Sequence, residues 1–124
     1  MTKYIDGFVL PVSKNKIAAY RKMAKEGAKM WKKYGALEYF ECAGEDLNPK
    51  STGMKFLTFP KIAKAKPSET VVFSFIVYKS RTHRDQVNAK VMKAMMSDPK
   101  MEDMAMPFDM KRMAYGGFEA IVEA

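Results

Sequence analysis

His83 is the only histidine of this chain. It stands in the run Arg81-Thr82-His83-Arg84-Asp85 at the expected start of a helix. There the helix terminus and the flanking arginines favour the neutral imidazole, the form suited to a general base. A capping or surface histidine is the competing assignment. Arg84 and Asn88 lie one turn apart on the same helical face beside Asp85. A guanidinium and a carboxamide so placed can orient an acidic or carbonyl-bearing ligand, or tie the helix start to a neighbouring loop. Arg112 with Asp109 invites the same two readings, with a structural ion pair as the default. Trp31 and Tyr20 on one helix, with Tyr39, Tyr78 and Tyr115 on strands, supply material for an apolar cleft between helices and sheet, although aromatic residues at helical spacing are core more often than ligand box. His83 is therefore the catalytic candidate, and the ligand-binding candidates are Trp31, Tyr39, Arg84, Asn88, Arg112 and Tyr115.

A single histidine and a single cysteine exclude a multi-histidine or cysteine-rich metal centre and an intramolecular disulfide. No metal and no cofactor is expected. Cys42, between Glu41 and Ala43, reads as a small buried hydrophobe. The late methionines, among them Met92, Met95, Met96, Met104, Met106 and Met110, read as core filling under the second helix rather than as an adaptable surface. The formal net charge is +8, which raises the case for a polyanionic partner or an acidic substrate. Lysine outnumbers arginine, and arginine usually dominates specific phosphate and base contacts, so a solvated basic face is the preferred reading. No apolar run reaches the ~20 residues a bilayer span needs, and the first residues lack a signal-peptide pattern. A cytoplasmic protein with no membrane partner is expected.

Several elements must position these residues. Tyr4 to Val12 reads as a strand ending near Pro11. Ser13 is placed to cap a helix running to about Tyr34, whose apolar stripe is Ile17, Tyr20, Ala24, Ala28 and Trp31 and whose C′ residue is Gly35. Ala36 to Ala43 follows as a strand of imperfect alternation, with Leu37, Tyr39 and Glu41 on one side and Glu38, Phe40 and Cys42 on the other. Lys55 to Phe59 is read as a short edge strand stopped by Pro60. Thr70 to Tyr78 is apolar on both faces and predicts a central strand covered from two sides. A second helix starts near Ser80 to Thr82, with Thr82 and Asp85 resembling a capping box, and buries Val87, Val91, Ala94 and Met95. Asp98-Pro99 opens a short helix with Glu102 and Asp103 in its first turn. Arg112 to Glu123 is the last strand, and Gly116-Gly117 within it predicts a bulge or a close backbone approach.

The order predicts one α+β domain over residues 1–124, a ferredoxin-like βαββαβ antiparallel sheet with two helices on one face. Two helices cover one face only, while the third strand is apolar on both and Tyr4, Phe8, Tyr39 and Tyr115 add aromatic surface. A second copy of the sheet is the economical cover, giving a homodimer closed into an α+β barrel.

The runs Tyr4-Ile5-Asp6-Gly7-Phe8-Val9, Gly35-Ala36-Leu37-Glu38-Tyr39, Val87-Asn88-Ala89-Lys90-Val91-Met92, Ser97-Asp98-Pro99, Met106-Pro107-Phe108-Asp109 and Tyr115-Gly116-Gly117-Phe118 resemble the YbaA-like family of uncharacterised bacterial proteins, from Tyr4 to Val122. The resemblance implies a dimeric α+β barrel related in shape to small antibiotic-biosynthesis monooxygenases, and it brings no catalytic residues with it. The function expected is binding of a small, apolar-bodied molecule between sheet and helices, with cofactor-independent monooxygenase-like or isomerase-like chemistry as one branch. A non-enzymatic binding or regulatory module is the other. An RNA-recognition motif shares the element order, and Phe73 to Tyr78 supplies its aromatics. The basic-glycine pair that should precede them is missing, so nucleic acid is disfavoured.

Overall fold

A computed structural model describes residues 2–50, 53–102 and 106–124. Strand β1 runs Tyr4–Ser13, and a 3-10 turn over Lys14–Lys16 leads into helix α1, Ile17–Lys33. Strand β2 is Glu38–Ala43, helix α2 is Phe59–Ala63, and strand β3 is Glu69–Tyr78. Helix α3, Arg81–Met96, and helix α4, Pro99–Glu102, precede a 3-10 turn at Met110–Arg112 and strand β4, Ala114–Glu119. The four strands form one sheet in the order β2-β3-β1-β4, every pair antiparallel. This is the expected ferredoxin-like α+β plan.

Local chemistry explains most boundaries. β1 continues past Pro11, which pairs with Val71, to Ser13. β4 pairs only Tyr4 to Val9, so Pro11 lies where one side of β1 has no ladder to lose, and the missing N–H is tolerated. α1 ends in a Schellman motif. The Gly35 N–H donates to Lys32 O, the Ala36 N–H donates to Trp31 O, and Gly35 has a φ of 118° that favours glycine. Ser13 caps only the 3-10 turn and makes no side-chain capping bond there. The Thr82–Asp85 box does not form. Ser80 is the N-cap of α3, accepting from the His83 N–H, while Asp85 binds Arg84 instead.

Phe59 and Pro60, expected to close an edge strand, open helix α2, with Pro60 in its first turn where a missing N–H costs nothing. Asp98-Pro99 starts α4 as expected; Asp103 and Met104 lie outside the described residues. Gly116-Gly117 makes no bulge, for the β1–β4 register runs unbroken from Tyr4↔Glu119 to Val9↔Ala114. It is a close approach: the Tyr4 ring fills the space a Cβ on Gly117 would need.

α1 and α3 cover one face of the sheet. Leu10, Val12 and Val72 pack beneath Tyr20 and Ala24 of α1, and Ile76 and Tyr78 beneath Val87 and Val91 of α3. Fully burying each such aliphatic side chain contributes roughly 1.5–3 kcal/mol. Tyr4, Phe8 and Tyr39 join this face as well, and Tyr115 stacks on Phe8 at 4.9 Å. They were expected to enlarge the uncovered face. The two-residue alternation turns them toward the helices. The opposite face carries Phe40, Phe73, Phe75 and Phe118 instead, and α2 covers one end of it, Phe59 meeting Phe73 edge-on at 6.4 Å. Further assignments change as well. Cys42 alternates onto the open face and is exposed. Met92 and Met96 on α3, and Met106 and Met110 before β4, are exposed, while Met95 packs on the core.

Candidate functional site

Two carboxylates lie on the helix-covered face, and each gathers a different set of partners. Asp6 is the third residue of central strand β1 and is 1% exposed. Arg84 Nη1 donates to its Oδ1 at 2.8 Å, and Asn88 Nδ2 donates to its Oδ2 at 3.3 Å. The Tyr78 hydroxyl is 3.0 Å from Asn88 Oδ1 and 3.3 Å from Asp6 Oδ2. Trp31 Nε1 donates to the same Asn88 oxygen at 3.0 Å. Arg84 also reaches the Tyr115 hydroxyl at 2.9 Å, and its guanidinium lies 4.9 Å from the centre of the Tyr4 ring. Burial, and then the charge of Asp6, push the Tyr78 and Tyr115 hydroxyls above the ordinary phenol range.

This cluster brings together four of the sequence candidates: Trp31, Arg84, Asn88 and Tyr115. It is filled. Among the described residues no buried side-chain nitrogen or oxygen lacks a hydrogen-bond partner. His83 stands beside it, its ring edge-on to Tyr78 at 6.0 Å. Its Nδ1 accepts from the Lys79 backbone N–H at 2.9 Å while the His83 backbone N–H donates to Ser80 Oγ, which makes it part of the helix cap. Burial, together with Lys79 and Lys90, lowers its pKa and favours the neutral ring that this bond requires. Arg112 lies elsewhere. It forms a two-pronged pair with Glu69 at 2.7 and 2.8 Å and a further bond to Asp109 at 3.0 Å, tying the turn before β4 to the start of β3.

The second carboxylate, Glu41, lies on β2 at the edge of the sheet. The Tyr20 hydroxyl donates to its Oε2 at 2.8 Å and the Tyr39 hydroxyl to its Oε1 at 2.9 Å, and Ser74 also bonds it. Among the described residues no cation pairs with it. Burial pushes the Glu41 carboxyl up, and the three hydrogen bonds offset this only in part. Burial and the neighbouring Glu41 charge hold both phenols far above their ordinary range, so they stay protonated donors.

Glu41 lines a groove between α1 and β2 of about 310 Å³, at the lower end of small-molecule sites. Ile17, Ala24, Ala28, Ala43 and Val72 give it apolar walls, and Arg21 and Lys25 stand along it on α1. The alanines leave the space that larger side chains would fill. Tyr39 is the one binding candidate from the sequence that reaches this groove, and its ring lies 6.2 Å from Trp31. Asp6 and Glu41 themselves were not among the candidates. Each left the same signal: an acid in an apolar strand, Glu41 on the side shared by Leu37 and Tyr39.

Among the described residues no group of three histidine, cysteine, aspartate or glutamate side chains is placed to hold a metal, and no helix is long and apolar enough to cross a membrane. The fold resembles a dimeric ferredoxin-like protein from an uncultured marine organism, with a TM-score of 0.60 at 13% identity over the full length of both chains. It also resembles a protein of unknown function from Nitrosomonas europaea, with a TM-score of 0.51 at 14% identity over 100% of this chain and 94% of that one. In sequence, the chain is 46% identical over 123 residues to the uncharacterized protein YbaA of Escherichia coli strain K12 and equally to that of Shigella flexneri, covering 98% of each chain. Residues 3–110 match the model of a family described as a protein of unknown function, DUF1428. The chain belongs to this family.

Proposed function

We propose that this protein is a small-molecule-binding module whose ligand lies in the α1–β2 groove, its apolar body against Ala24, Ala28 and Val72 and a hydrogen-bond donor turned toward Glu41. The observation that carries this reading is a half-buried carboxylate held by phenols, with no cation, in the wall of an open apolar groove. Glu41 keeps acceptor capacity that Tyr20, Tyr39 and Ser74 do not use, since a carboxylate offers about four lone-pair sites. The cluster around Trp31, His83 and Asn88 favours binding over the oxidative or isomerising branch, because its polar groups are already engaged with one another.

The test is a fragment screen by NMR on the isotope-labelled protein. Small aromatic and medium-chain compounds bearing a hydroxyl should perturb the amide signals of Ala24, Ala28 and Tyr39, and Glu41→Gln should weaken that binding about tenfold. Perturbations confined to other surfaces would overturn the reading.

A second reading concerns assembly. We infer a homodimer formed through the open sheet face. Phe40 stacks on Phe75 at 5.0 Å, and Phe75 lies 5.9 Å from Phe73, yet Phe40 and Phe73 are 48% and 44% exposed. Phe118, on the same face, is 60% exposed, and so much exposed aromatic surface on one sheet face is unusual on a free surface. The marine neighbour of this fold is described as dimeric. Sedimentation should give a dimer at micromolar concentration and Phe73→Lys a monomer; a monomeric wild type would overturn this reading. A reducing cytoplasm suits the lone, unpaired Cys42.

A further inference from the structure

The excess positive charge of this protein is not spread over it. Residues 14–33 carry eight lysines and arginines against the single Glu26, so seven of the eight net charges belong to α1 and its leading turn. All eight are exposed. Arg21, Lys25, Lys29 and Lys33 follow one another at four-residue spacing, which sets like charges side by side along the helix. Among the described residues only Lys29 has an acidic partner there, Glu26 at 3.4 Å. Solvated helices usually intersperse acids to avoid this repulsion. The row borders the groove, for Arg21 and Lys25 line it and also line a second, shallower hollow with Lys22 on the outer side of the helix.

We propose that this cationic row makes the α1–β2 groove selective for anionic ligands, that is, small apolar-bodied acids bearing a carboxylate or phosphate. The inference rests on the binding reading above and adds the ligand's charge and direction. The anionic head lies at Arg21 and Lys25, and the body runs inward along the alanines. The far end, near Glu41, is a hydroxyl or N–H donor, because a second anion there would face the Glu41 charge. Lys22 and Lys29 make no contact with the bound molecule. They add to the positive field that draws anions to the groove, so they act on the association rate and lose their effect as salt rises.

The experiment compares acids that carry a hydroxyl at the end opposite the acid group, such as 4-hydroxybenzoate, with their neutral amides, using groove amide signals for affinity and stopped-flow mixing for rate. The acids should bind about tenfold more tightly than the amides at low ionic strength. Arg21→Gln with Lys25→Gln should erase that preference, while Lys22→Gln with Lys29→Gln should slow association and spare dissociation. All four side chains are exposed, and the circular dichroism of each variant should match the wild type. Equal affinity for acids and amides in the groove would overturn this inference and leave the binding reading standing. Binding of neither in the groove would overturn both, as would acids that bind only elsewhere on the helix. An oligonucleotide that perturbs the whole of α1 where no acid does would reassign the row to a polyanion and overturn the proposal.

Discussion

Asp6 and Glu41 face the same side of one sheet, two strands apart, and only one of them is complete. Asp6 has a guanidinium, a carboxamide and a phenol around it, and the Arg84 pair closes its charge inside the fold. Glu41 has hydroxyl donors and no counter-charge, and it borders open space. A buried charge that is fully partnered fixes structure, whereas one left partly desolvated and unpaired carries a cost that the fold does not recover. Position in the sheet decides which is which. β1 is central and α3 lies over it, so Arg84 and Asn88 can reach Asp6. β2 is an edge strand faced by α1, whose inward stripe near Glu41 offers Tyr20 and alanines.

The largest test of this contrast is Asp6→Asn. It removes the buried anion of Arg84, which keeps only the exposed Asp85, and should lower unfolding free energy by about 3 kcal/mol in urea titration; a loss below about 1 kcal/mol would remove the structural role given to the cluster. Glu41→Gln should behave in the opposite way. The folded carboxyl has a raised pKa, so ionisation costs the folded state stability at neutral pH, and that cost declines once pH falls below the folded value and is gone below the ordinary glutamate value of about 4.3. The glutamine variant should therefore unfold at the same or a higher temperature than wild type at pH 7 while its groove binding weakens. Reduced stability of Glu41→Gln would place Glu41 beside Asp6 as a structural acid.

The Arg112 clamp supplies a third carboxylate for comparison. Its hydrogen bonds hold the Glu69 carboxyl down to about 2. The stabilisation is complete above the ordinary glutamate value of about 4.3 and is lost as pH falls through about 2. Arg112→Met should remove this acid limb from a pH series of melting temperatures. The smallest effect belongs to His83. Its lowered pKa means that the unfolded chain takes up the proton first, so stability should fall as pH drops below about 6.5. His83→Ala should flatten that slope at a cost of about 1 kcal/mol, and an unchanged slope would release His83 from the cap.

The plan of the fold was legible because it rests on local patterns. The doubly apolar run Val71 to Tyr78, the α1 stripe through Tyr20 and Ala24 and the glycine after Tyr34 each state their role within a few residues. Lys55 to Phe59 was misread because Pro60 suits a strand end and a helix start equally well. The site was legible in its residue types and not in its geometry. Trp31, Arg84, Asn88 and Tyr115 do meet, but around Asp6, whose run Ile5-Asp6-Gly7 resembles a turn as much as a strand. Glu41 meets Tyr20 through the packing of α1 on β2, a contact across 21 residues that no spacing within either element encodes.

The molecule contains one tryptophan, and its position gives it a use in solution. Trp31 holds Asn88 through its indole N–H and lies 6.2 Å from the ring of Tyr39, whose hydroxyl bonds Glu41. Its emission is thus set on one side by the Asp6 cluster and on the other by the groove. Filling the groove should alter its quantum yield through Tyr39, and loss of the Asp6 cluster should shift its emission to the red as water reaches the indole. One optical signal, free of any label, separates the two regions.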